Sequence, residues 1–254
     1  MWGNLRMKFT LKVLSMAVVA AASTFTFADE ASSAHSISGN IGVFSSYNLR
    51  GITNVPENSG ATVQGGLDYS HSSGFYAGWW GSTLDYNAET PEGSSDTFEN
   101  DFYAGYKGSI TEDLGFTLGG TYYVYYPADD SDVFETLVGL NYKDFAISAQ
   151  TLTDDVKWGN AGDTYFLATY SYGLPRDFSA NFALGAYLYS DSGDFEGNTL
   201  DTTEDFNFRH FTAGLSHPLG DTGASVSMDY IVGGYDRSDV KQKNKVVFGL
   251  KYAF

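Results

Sequence analysis

Lys245-Val246-Val247-Phe248-Gly249-Leu250-Lys251-Tyr252-Ala253-Phe254 closes the chain, and its reading decides the fold. Val246, Phe248, Leu250, Tyr252 and Phe254 recur at every second position, with Lys245, Val247, Gly249, Lys251 and Ala253 between them. Successive side chains of a strand point to opposite faces, so one face here is wholly apolar and the other is mixed. A helix would place these five apolar residues all around its axis.

Upstream the same period of two returns repeatedly, and no helical apolar stripe of useful length competes with it. About twelve strands are expected, near 36–50, 61–71, 75–86, 98–110, 114–126, 133–143, 145–154, 164–174, 178–190, 206–218, 224–235 and 245–254. Short turns at 72–74, 111–113, 143–144, 175–177 and 220–223 alternate with longer acidic, Gly/Ser/Asn-rich stretches at 51–60, 87–97, 127–132, 155–163, 191–205 and 236–244. An even strand count with short turns at one end and long loops at the other describes a single antiparallel transmembrane β-barrel with both termini in the periplasm. In that setting the terminal strand, with Phe248, Leu250, Tyr252 and Phe254, resembles the C-terminal signal by which bacterial outer-membrane proteins are recognised for insertion.

Composition agrees and excludes other classes. The 254 residues hold 31 acidic and 14 basic side chains, a formal charge of −17, which rules out a basic nucleic-acid-binding surface. Nineteen Phe, 19 Tyr and 29 Gly are too many for a disordered acidic chain. With no cysteine, disulfide scaffolds, zinc ribbons and thiol nucleophiles drop out. Residues 1–28 read as a secretory signal peptide: Arg6, Lys8 and Lys12, then an apolar run from Val13 to Ala22, then a small-residue site at Thr26-Phe27-Ala28. The run is shorter than the roughly 20 residues a spanning helix needs. The mature barrel is thus expected over 29–254, in the outer membrane.

The alternation assigns faces. Val63, Leu67, Tyr69, Phe102, Tyr106, Leu118, Tyr122, Val138, Leu140, Val226 and Met228 belong on lipid, which offers no hydrogen-bond partners. Their neighbours Gln64, Asp68, Asp101, Tyr103, Lys107, Glu135, Asp229 and Lys251 are polar or charged and must face a wet or salt-bridged lumen. With Arg50, they are the candidate pore-lining residues. The third, eighth and tenth strands do not resolve: Trp79 and Trp80 cannot both face lipid, and either phase of 206–218 leaves a polar exception.

These residues also carry a family resemblance. Ser46-Tyr47-Asn48-Leu49-Arg50-Gly51-Ile52-Thr53-Asn54 is similar to the Arg-Gly-Ile signature near the start of the TorF-type porins. Val63 to Tyr69, Gly74 to Trp79, Asp101 to Tyr106 and Tyr122 to Pro127 resemble further blocks of that family. The resemblance covers the mature chain, is strongest over 44–127, and implies a proteobacterial outer-membrane porin without naming a substrate.

A barrel of about twelve strands lies between filled eight-stranded barrels and open 16-stranded porins, so a narrow lumen is expected. Arg50 either marks a constriction, pulling anions or pairing with Asp101 or Glu135, or makes a structural salt bridge that fastens the first loop to the barrel wall; buried charges usually have partners. Tyr76, Tyr103 and Tyr123 read as a stacking track for a solute or as ordinary lumen packing. The loop acids, among them Glu92, Asp130, Asp163, Asp194, Glu196 and Asp205, have three readings: Ca²⁺ or Mg²⁺ ligands, a cation-enriching mouth, or solvated loops. The last is the default, because none shows an EF-hand spacing. His210 with Thr212 and His71 with Ser73 have the spacing of a nucleophile–base pair but come without an oxyanion signature. The expected function is a passive, weakly cation-preferring channel for small hydrophilic solutes, without catalysis, cofactor or metal. The alternatives are a structural or recognition barrel with a plugged lumen and a barrel lipid hydrolase. Its expected partners are outer-membrane lipid and lipopolysaccharide, the barrel-assembly machinery, and the solutes.

Overall fold

β12, Lys245–Ala253, pairs on one side with β11 (Ala224–Gly233) and on the other with β1 (His35–Phe44), and that second pairing closes the sheet. The computed structural model describes residues 34–54, 60–90 and 93–254; the expected signal peptide at 1–28 and Glu92 lie outside them. Between β1 and β11 run β2 (Thr62–His71), β3 (Phe75–Thr90), β4 (Gly93–Ser109), β5 (Leu114–Tyr126), β6 (Val133–Tyr142), β7 (Phe145–Leu152), β8 (Thr164–Gly173), β9 (Ser179–Leu188) and β10 (Phe206–Pro218). Each strand pairs antiparallel with its sequence neighbours, giving a closed barrel of twelve strands. Closure leaves no open edge, and every ladder bond is made within the sheet, the condition for crossing lipid with strands.

Outward positions are apolar and bare: Ile41, Leu67, Phe102, Leu118, Val138, Ile147, Leu184, Val226 and Phe248 all stand exposed. An apolar outer belt around a closed barrel is the surface such a sheet presents to lipid. The inner face holds the buried polar side chains, Gln64, Asp101, Thr121, Glu135, Gln150, Asn181 and Thr212 among them. The start of β1 and the end of β12 lie at the end of the barrel that carries the short turns, where His35 pairs with His71.

The three unresolved phases now have physical reasons. In β3, Trp80 points inward and packs against the inner cluster that contains Tyr47, Leu84 and Tyr123, while Trp79 lies on the outer side and donates its Nε1–H to Asn100 Oδ1 at 3.2 Å. In β8, Tyr165 and Leu167 are buried and Phe166, Tyr170 and Tyr172 are exposed. In β10 the register shifts between Phe208 and His210. This bulge puts Arg209 and His210 both inside, with Phe206 and Phe208 outward before it and Phe211 and Leu215 outward after it. No single phase could have fitted the strand.

Two expected boundaries are corrected. β1 stops at Phe44 rather than near residue 50, because Ser45 makes the last bonds to Phe248 and the chain then turns into the lumen. The stretch 87–97, read as a loop, continues the ladder of β3 and β4 up to the pair Thr90 and Gly93. Its Ser, Asp and Glu residues form backbone pairs without apolar alternation, so the period-two signal was silent there.

Candidate pore constriction

Beyond Phe44 the chain folds into the barrel. Arg50 and Gly51 both have left-handed backbone, at φ 48° and 72°. A Cβ at position 51 would collide with the His210 side chain, so only Gly lets the segment press this closely on β10. A left-handed Arg is costly, by about 1–2 kcal/mol, and persists because its side chain is tightly held.

The Arg50 guanidinium is 2% exposed and the Glu135 carboxylate 1%. Nη2 donates to Glu135 Oε2 at 2.6 Å and to Tyr123 Oη at 3.1 Å, and Nη1 donates to Tyr187 Oη at 2.5 Å. Its carbon lies 4.9 Å from the centre of the Tyr165 ring and 5.7 Å from that of Tyr187. Tyr123 and Gln150 also donate to Glu135 Oε2, at 2.9 and 3.1 Å. Beside this group Glu99 accepts from Tyr47 and Tyr125 at 2.5 and 2.7 Å. Tyr165 Oη and His210 Nε2 are 2.7 Å apart, and His210 Nδ1 lies 3.1 Å from Thr212 Oγ1. Ser82, Asp101, Ile231 and Val247 are also buried on the inner face. Every strand from β2 to β12 therefore contributes a solvent-shielded side chain to the lumen, and segment 45–54 fills the space among them.

The sequence candidates divide into two groups. Arg50, Asp101, Glu135 and Gln64 belong to this buried belt. Of the two carboxylates considered for Arg50, Glu135 makes the ion pair. Asp68, Tyr103, Lys107, Asp229 and Lys251 sit on the inner face but are less buried. Tyr103 donates to Asp68 at 2.6 Å, and the Lys107 ammonium lies 4.8 Å over the Tyr76 ring. Tyr76 and Tyr103 thus do not join Tyr123 in one track. Each fills the room over inner-face glycines, Tyr76 at Gly105 and Gly119 and Tyr103 at Gly78.

Glu99, Gln150, Tyr165, Tyr187 and Arg209 escaped the sequence reading: β8 and β10, which hold Tyr165 and Arg209, had no resolved phase, no face was assigned to β7 and β9, which hold Gln150 and Tyr187, and Glu99 stood at the border of a supposed loop. Both candidate nucleophile–base pairs form: His71 Nδ1 and Ser73 Oγ are 2.8 Å apart. The Ser73 backbone N–H also donates to that nitrogen, which makes the contact a turn cap. At His210 both ring nitrogens are engaged inside the belt.

The loop acids are partly knitted together instead of merely solvated. Arg237 pairs with Asp163 and, at 3.2 Å, with Glu196, and its guanidinium lies 4.9 Å from the Tyr189 ring centre. Glu196 Oε1 accepts from Asn160 Nδ2 and Thr202 Oγ1, each at 2.6 Å. Three loops, 153–163, 189–205 and 234–244, are thereby joined. Asn54 and Thr53 attach the inward segment to the last of them, donating to Lys241 O at 2.9 Å and Lys243 O at 2.8 Å.

The family matched by residues 28–253 is Gcw_chp, bacterial proteins of unknown function. The chain belongs to it. No curated protein matches this Gcw_chp chain. Among solved structures it is similar to the KdgM porin, with 8% identity, 85% of this chain and 99% of that one covered, and a TM-score of 0.52. A second structure, of the KdgM porin in complex with disordered oligogalacturonate, matches at 8% identity over 86% and 98% of the two chains, with a TM-score of 0.50. At that identity the likeness is one of fold: this Gcw_chp barrel has the architecture of outer-membrane porins.

Proposed function

We propose that this protein is a bacterial outer-membrane channel for passive diffusion of small hydrophilic solutes, with a weak preference for cations. The observation that carries the reading is the closed barrel with an apolar outer belt and an inner face of both charges. The resemblance of residues 46–54 to the TorF-type porins supports it, with a signal peptide at 1–28 and both termini in the periplasm. The C-terminal strand, through Phe248, Leu250, Tyr252 and Phe254, is the segment offered to the barrel-assembly machinery, and Arg50, Gln64, Asp68, Asp101, Tyr103, Lys107, Glu135, Asp229 and Lys251 line the path.

Cation preference is supported by charge: 31 acidic side chains stand against 14 basic ones. Negative potential in a narrow, low-dielectric passage concentrates cations and repels anions. The buried belt around Arg50 makes small unitary currents the expectation.

Planar-bilayer recording of the purified protein across a KCl gradient tests this. Reversal potentials should show cation preference at low salt that fades as the Debye length falls from about 30 Å at 0.01 M to about 3 Å at 1 M. Asp101→Asn should weaken the preference. Anion preference lost in Arg50→Gln would overturn the selectivity, and absence of current under all conditions would overturn the channel.

A further inference from the structure

The side chains around Arg50 form a receptor that belongs to the wall rather than to the segment filling it. Glu135 stands on β6, Tyr123 on β5, Tyr165 on β8 and Tyr187 on β9. Contacts apart from Arg50 hold each in place. Tyr123 and Gln150 bind Glu135, Tyr165 bonds to His210, and Tyr187 stacks on Tyr189 with ring centres 4.9 Å apart. A buried carboxylate beside tyrosine hydroxyls and ring faces is a chemistry for cations, and above all for a flat guanidinium.

Arg50 satisfies this receptor only in part. It engages Glu135 through one oxygen, while Glu135 Oε1 and Arg50 Nε are both buried without a partner. A guanidinium arriving without a tether would set two parallel N–H bonds on both carboxylate oxygens, the geometry these groups favour. Arg50, tethered to a backbone in the left-handed region at φ 48°, makes only one of these bonds.

We infer that the wall around Glu135 is a binding site for guanidinium-bearing solutes, and that Arg50 occupies it as an internal competitor. A solute of this class displaces Arg50, and with it segment 45–54, from the lumen. Its role in transport rests on the channel reading; the binding site does not.

The test is titration of the purified, refolded full-length chain with methylguanidinium, followed by tryptophan fluorescence. Trp158 reports on the site, since its ring lies edge-on to Tyr123 and Tyr125 at 6.0 Å. In Arg50→Ala, methylguanidinium should give a saturable signal, with methylammonium at least tenfold weaker and urea silent. In wild-type protein the same titration should need at least tenfold more methylguanidinium, because Arg50 competes. Arg50→Ala/Glu135→Gln should lose the saturable signal. Heat-modifiable migration checks that each variant is folded, and Arg50→Gln takes the place of Arg50→Ala if the smaller side chain fails. An Arg50→Ala response equal to that of urea, or equal to that of the double variant, overturns the site. Saturable binding in a protein that never conducts would overturn the channel and keep the receptor; current in every variant without saturable binding would do the reverse.

Discussion

The Arg50 guanidinium and the Glu135 carboxylate meet at 2.6 Å inside the barrel, both shielded from solvent, one on an inward loop and one on the wall. Their attraction offsets a desolvation cost of several kcal/mol per ion, so the pair is worth little as a net contribution but much as a condition. Glu135→Gln alone should destabilise the barrel by about 3–5 kcal/mol, since it strands a buried positive charge. Arg50→Gln combined with Glu135→Gln should cost less than the single change. Urea unfolding in detergent, followed by tryptophan emission, measures both, and a double variant weaker than the single one would contradict the pairing.

The lipid face gives a second expectation. An Arg at Leu118 or Val226 should cost about 2–4 kcal/mol near the membrane midplane and less toward either interface. The inner-face neighbours Thr117 and Ser227 should take the same change better. Folding yields into lipid vesicles compare the four, and equal tolerance would reverse the assigned faces.

Phe254 extends the seam beyond β12. It exchanges backbone bonds with Gly39 at 2.8 and 3.0 Å, and its ring covers that glycine. Deleting it should lower the amount of heat-modifiable barrel in the outer membrane while export continues. Unchanged assembly would argue against any role for this residue in closure or insertion.

The Arg237 clasp should be sensitive to acid. Partial burial pushes Glu196 up, but bonds from Thr202 and Asn160 and the Arg237 charge outweigh it and hold the carboxyl below its usual value. A carboxyl depressed on folding adds stability above its unfolded pKa of about 4.3, and that stability is lost as pH falls through the folded value. Protection of loop 189–205 from hydrogen exchange should therefore drop below about pH 4.3. Arg237→Gln should lower protection at neutral pH and flatten this dependence; an unchanged profile would mean that the loops hold without the clasp.

How far the sequence could be read depended on whether side-chain alternation and backbone pairing coincided. They do from Val246 to Phe254, and that strand was legible outright. At β10 one inserted residue, Arg209, shifts the alternation midway, and no rule of period two can show where. Residues 45–50 alternate well enough to pass for strand, although their side chains point among the barrel's own. For Arg50 the partner Glu135 was one of two named in advance, because charge and face were both readable. Tyr165 and Tyr187 were not found, since nothing local separates a tyrosine facing lipid from one facing a guanidinium. The one signal for the clasp was a single Arg237 following loops full of acid.

The position of Arg50 also orders the assembly of the barrel. It bonds to Tyr187, 137 residues further along the chain, on the ninth strand. Loop closure over such a distance carries a larger entropic cost than a local contact and is slow to be rewarded. Of the three polar partners of Arg50, Tyr187 thus closes the longest loop, beyond the 73 residues to Tyr123 and the 85 to Glu135, and is the last of them that the growing chain can offer.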